Sequence, residues 1–156
     1  MKLSILQWLL QGIPESLALV TLALTLAGEK LEMRRIALLG IAHAVIIFAI
    51  RLLPLTFGVH SILSLFTIAL LLNLFLKVRF SRSLLSALIV MIALAIFETV
   101  SFSLLLHLTG LSYEQLAENI LVYIVGGWPQ VILLFLLALA VNRWQRGRRA
   151  LKEEIL

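Results

Sequence analysis

Glu15, Arg51 and Glu98 are ionisable residues set inside long apolar runs of this 156-residue chain. Two carboxylates and one guanidinium cannot all pair one to one, so one carboxylate is left to take a proton, a cation or an amine. Gln130, which follows the run Gly126-Gly127-Trp128-Pro129, adds an amide that can donate and accept. These four residues form the candidate ligand-binding set. A structural reading stands beside it, in which Arg51 and one Glu make a buried pair that fixes helix register. Arg51 can pair with either Glu15 or Glu98, and Glu15 is preferred because consecutive spans are usually neighbours. The guanidinium can also snorkel to the outer interface.

The elements that position these groups are dictated by composition. With 62% hydrophobic and 13% charged residues and a mean hydropathy of +1.11, the chain lacks the polar surface of a soluble domain. A span needs about 20 apolar residues to cross a core of about 30 Å. Five segments qualify, at approximately 5–28, 36–57, 60–77, 84–109 and 120–142. Each must be helical, because no water is present to satisfy backbone groups. The expected fold is therefore all-α: one transmembrane domain over residues 1–156, a polytopic membrane bundle of five transmembrane helices with a basic tail at 143–156.

Orientation follows from the basic residues. Of 13 Lys and Arg, all but Lys2 and Arg51 fall into three clusters: Lys30, Arg34, Arg35; Lys77, Arg79, Arg82; and Arg143, Arg146, Arg148, Arg149, Lys152. Cytoplasmic loops retain Lys and Arg, so all three clusters are expected inside, with the N-terminus outside and the C-terminus cytoplasmic. The outer connections are then the Pro54 to His60 turn and the segment Gly110 to Asn119 with Glu114 and Glu118. Met1-Lys2 and the apolar stretch after it superficially match a signal peptide, but the run continues to Ala27 and is read as retained. The net charge of +5 is contact with anionic inner-leaflet lipid rather than with nucleic acid. The expected location is the cell membrane, multi-pass.

Counted from the cytoplasmic ends at about 1.5 Å per residue, Glu15 lies roughly 18 Å deep, Arg51 roughly 22 Å, Glu98 roughly 21 Å and Gln130 roughly 18 Å. A polar layer in the outer half thus joins spans one, two, four and five. Two segments read as helix interruptions near this layer. Gln11-Gly12-Ile13-Pro14-Glu15-Ser16 suits a break that leaves residues 3–10 as a separate amphipathic piece. In Gly126-Gly127-Trp128-Pro129 the proline removes a hydrogen bond, and the glycines permit close helix contact or a kink. Broken helices often mark binding sites in transporters, and a tolerated kink is the plainer reading.

Other polar residues carry less. His43 reads as hydrogen-bonded to a neighbouring helix, and His60 and His107 can approach each other near the outer boundary. Asn73, Ser101 and Ser103 read as interhelical hydrogen bonders, and Trp8, Trp128 and Trp144 as interface anchors. No metal site or cofactor is expected. With no cysteine, no aspartate and no Gly-x-Ser-x-Gly, His-Glu-x-x-His or phosphate loop, an enzyme is not expected either. Arg51 at the level of Glu15 and Glu98 would hold those carboxylates ionised and blunt general-acid work.

Gln11-Gly12-Ile13-Pro14-Glu15, Arg51-Leu52-Leu53-Pro54 and Phe57-Gly58-Val59-His60 resemble the multi-span sensor region of peptide-responsive histidine kinases of the accessory-gene-regulator type, over about the first 80 residues. The resemblance implies an outward-facing sensor. No phospho-acceptor helix or ATP-binding domain is present in the chain, so output is expected to pass through a partner. The function expected is a non-enzymatic membrane sensor or accessory subunit. It would bind an extracellular peptide or small molecule in the outer polar layer and signal through the 143–156 tail to a cytoplasmic kinase. The alternative is a substrate-binding membrane component of a small-molecule or ion transporter, similar to those of energy-coupling-factor systems, with a transporter partner. Short length and an odd span number suggest assembly with itself or with that partner. A transport path should continue inward, and below the layer stand only His43, Asn73, Thr21 and Thr25.

Overall fold

A computed structural model describes residues 5–53, 59–110, 112 and 120–154, and the side chains of all these except 120 and 149–154. The chain is helical throughout, with no strand among the described residues. The helices are α1 (Ile5–Ala27), α2 (Met33–Arg51), α3 (Val59–Leu76), α4 (Phe80–Thr109) and α5 (Ile120–Glu154). All five are long and apolar enough to cross a membrane, the architecture of a multi-pass membrane protein. Of the expected outer connections, Pro54 to His60 and Gly110 to Asn119, Val59 and His60 already belong to α3, and residues 54–58, 111 and 113–119, with Glu114 and Glu118, lie outside the described residues.

The arrangement is an arc around a central helix. Neighbours α2, α3, α4 and α5 pack in chain order, and α1 lies inside the arc against each of them. Its sequence fits that position: Ala18, Leu22, Ala23 and Leu24 have no exposed surface, and small residues let four helices approach one axis. The outer helices instead present Ile, Leu and Phe outward, among them Leu74, Leu85, Ile92, Ile96 and Leu136. In water this surface would aggregate, and in hydrocarbon it is at no disadvantage.

Two turns at the basic end are built locally. Gly28, at φ 79°, closes α1 with its N–H on Thr25, while the Glu29 N–H reaches the Leu24 carbonyl. Arg35 then reaches both Glu29 (3.5 Å) and Glu32 (3.1 Å), tying this turn to the start of α2. Between α3 and α4, Asn73 donates to the Val78 carbonyl at 2.8 Å. Asn73 thus caps its own turn instead of bonding across helices, because the carbonyls at the end of α3 leave an adjacent loop to be satisfied first.

The expected break at Gln11 to Ser16 does not occur. Helix α1 runs through Pro14 by way of a π-helical turn at Trp8–Gly12, where the Ile13 N–H bonds the Trp8 carbonyl. The wider turn gives the proline ring the room that a regular helix denies it. The second expected interruption is also continuous, since α5 carries Pro129 within the helix and runs on without a stop into the basic tail. At Gly126 and Gly127 close helix contact, and not a break, is what the glycines provide. A Cβ on Gly127 would land on the Gln11 amide, and one on Gly126 would lie 2.5 Å from Leu105.

Candidate functional site

At the end of the bundle away from the basic turns, the helices splay around a cavity of about 390 Å³. Every helix contributes a stripe to it. Helix α1 supplies Gln7, Gln11 and Glu15 at a spacing of four, and α2 supplies His43, Ile47 and Arg51 at the same spacing. His60, Ser61 and Ser64 come from the first turns of α3, Met91, Leu94 and Glu98 from α4, and Tyr123 and Gln130 from α5. The four residues expected as a polar layer, Glu15, Arg51, Glu98 and Gln130, therefore line one cavity.

Their bonding differs from the expectation. Gln130, 2% exposed, donates its amide to Glu15 at 3.4 Å, linking α5 to α1. Arg51 forms no direct ion pair with Glu15 or Glu98 among the described residues. It stands at the last turn of α2 with an exposed side chain, and its charge reaches both carboxylates across the cavity. The end of a helix at the membrane boundary gives a long cationic side chain access to water, so pairing is not forced on it. Glu98 is exposed at the edge of the cavity, whereas Glu15 is half-buried inside it.

One side of the cavity is rigid. His43, 1% exposed, sits between two hydroxyls: its Nδ1 lies 3.1 Å from Ser16 Oγ and its Nε2 lies 3.1 Å from Ser64 Oγ. One imidazole thus ties α1, α2 and α3 together, with one ring nitrogen donating and the other accepting when neutral. Trp8 donates its indole N–H to the Ala44 carbonyl at 3.0 Å and stacks at 5.0 Å on Phe48. It lines the cavity, at the first residue of the π-helical turn. Trp128 and Trp144 remain exposed, and Arg148 lies over the Trp144 ring at 4.7 Å.

The cavity lining also carries buried polar atoms without partners. Gln11 Oε1, Gln130 Oε1 and His60 Nδ1 are buried without a hydrogen-bond partner, as is Ser101 Oγ elsewhere in the bundle. Buried polar atoms of this kind ask for a ligand or water. Ser101 and the exposed Ser103 make no interhelical bond, contrary to expectation. His107 is exposed and does not line the cavity with His60, and no group of three metal-ligating side chains forms among the described residues.

Toward the basic end the interior turns mostly apolar, with Ser83 and Ser86 buried in the first turns of α4. Leu19, Leu22, Leu24, Ile68, Leu72 and Leu134 fill the interior, and Thr21 and Thr25 bond the carbonyls of Leu17 and Thr21 in their own helix. The cavity is a closed-ended cup. Comparisons with protein-family models, curated proteins and solved structures give no match to this chain.

Proposed function

We propose that this protein is a non-enzymatic membrane sensor or accessory subunit that binds a small extracellular molecule in the cup and relays its occupancy through the α5 tail to a cytoplasmic partner. The observation that carries the reading is the meeting of Glu15, Arg51, Glu98 and Gln130 on one cavity of about 390 Å³, a volume suited to a small molecule. The positive-inside pattern supports a mouth that faces outside. Conduction would need polar groups continuing to the other face, and a packed Leu and Ile interior occupies that route.

Relay has a mechanical basis. Gln130 in the cup wall and Arg143 to Arg148 in the tail lie on one unbroken helix. A shift of Gln130 toward a ligand therefore moves the tail as a rigid body, with a kinase as the kind of partner that reads such a shift. Affinity purification from native membranes in gentle detergent, through a tag after the tail, tests this. Recovery of a histidine kinase is the expected result. Recovery of an ATP-driven coupling module instead would overturn signalling in favour of uptake.

A further inference from the structure

Glu98 belongs to two cavities at once. Besides the polar cup, it lines a shallower space of about 210 Å³ between α3 and α4, whose other walls are Ser61, Ile62, Leu65, Met91, Leu94 and Ala95. Ser61, Met91, Leu94 and Glu98 border both spaces, so the two adjoin at Glu98. The outer one is apolar and opens on the lipid-facing surface, where Ile62 is 58% exposed. A carboxylate at such a junction is expensive within a membrane unless a cation meets it.

The cup holds buried acceptors that have no partner. The Gln130 amide N–H is committed to Glu15, the Trp8 N–H to Ala44, and both His43 nitrogens to serines. The carbonyl oxygens of Gln11 and Gln130, on side chains 7% and 2% exposed, accept from nothing. Two carboxylates add further acceptors, and Arg51 is set back at the mouth. A group with several N–H donors and a positive charge complements this wall, and a quaternary ammonium, which has none, does not.

We propose that the site takes a primary ammonium compound with one apolar arm, its head between Glu15, Glu98 and the two free Gln carbonyls and its arm in the α3–α4 groove. The proposal rests on the cup being the binding site and names its ligand class. The arm enters past Glu98, which makes the groove a side door from the bilayer.

The test uses the full chain in phosphatidylcholine vesicles, whose lipid carries no N–H amine, with Trp128 and Trp144 changed to Phe so that Trp8 alone reports on the cup. Ethylammonium, hexylammonium, hexyltrimethylammonium and hexanoate are titrated while Trp8 fluorescence is followed. Burying a methylene strengthens binding by up to about fourfold, so the four extra methylenes of hexylammonium set a ceiling of about 200-fold, and with the arm partly buried it should half-saturate about tenfold or more below ethylammonium. Ala95→Phe, which fills the groove, should bring hexylammonium to the ethylammonium midpoint and leave ethylammonium unchanged, which also shows that the variant is folded. Glu98→Gln should weaken both amines. Equal binding of hexyltrimethylammonium would overturn the head-group assignment, and insensitivity to Ala95→Phe would overturn the placement of the arm. Saturable binding of hexanoate alone would refute the ammonium class while keeping the cup as a site. Silence of Trp8 toward all four compounds would overturn the ammonium proposal, while the affinity purification decides the proposed function separately.

Discussion

Gln130 on α5 donates to Glu15 on α1 across 115 positions of sequence, at 3.4 Å, a polar link that joins the tail-bearing helix to the centre of the bundle. Interhelical hydrogen bonds in membranes contribute about 0.6 kcal/mol on average and about 1.7 at most. Gln130→Leu is therefore expected to lower stability by about 1 kcal/mol. Most of that loss should vanish when Glu15 is already Gln. Unfolding in mixed micelles of rising dodecyl sulfate content measures both, and an additive double variant would show that the bond carries no energy.

His43 is the keystone of the rigid side of the cup. His43→Ala leaves Ser16 and Ser64 without their partner and opens a void among three helices. Its cost should reach about 3 kcal/mol, against about 1 for Ser16→Ala or Ser64→Ala alone. The same unfolding assay reads all three, and a His43 variant no worse than the serine variants would mean that the imidazole only fills space.

Arg51→Ala would be severe if the guanidinium neutralised a buried carboxylate by contact. With no direct pair and an exposed side chain, it should instead cost less than about 1 kcal/mol. Thermal unfolding in detergent decides, and a loss comparable to that of His43→Ala would show that Arg51 pairs inside the cup.

How far the sequence foretold this arrangement depends on the kind of signal. Helix number is legible because lipid forces helices and because basic clusters punctuate apolar runs. The meeting of Glu15, Arg51, Glu98 and Gln130 was reachable by counting residues along rods of fixed rise, which gives depth. Azimuth is another matter: in helices apolar all round, nothing marks the inward face, and the Arg51 side chain could not be placed there by counting. A stripe of Gln7, Gln11 and Glu15 was present all along at a spacing of four, and reading it would have added both glutamines to the site. Two prolines read as breaks because their penalty is local, whereas the π-helical turn and lipid-enforced hydrogen bonding that carry the chain through them are not written in residue type.

Close helix approach gives a prediction with its own control. A Cβ at Gly40 would stand 2.5 Å from Leu17 Cδ2 and 3.1 Å from Leu17 Cα, so Gly40→Ala must push α2 away from α1. A destabilisation of about 1 to 3 kcal/mol is expected. Gly147 has nothing within 4 Å of its added Cβ, and Gly147→Ala should stabilise α5 by up to about 1 kcal/mol. Opposite signs in the same unfolding assay are the expected outcome, and destabilisation by both would point to a contact at Gly147 in the assembled protein.

Orientation yields the last prediction. The basic turns at 28–35 and 77–82 and the start of the tail lie at one end of the bundle, and the mouth of the cup at the other. Positive charge resists translocation, so the mouth should face outward. The chain has no cysteine, which makes single introduced thiols clean reporters. Ser61→Cys, beside the mouth, should react with an impermeant maleimide added to intact cells. Glu32→Cys, in the first basic turn, should react only after the cells are opened. Swapped labelling would turn the cup toward the cytoplasm and make its ligand an intracellular one, with the three basic clusters then standing outside against the charge rule.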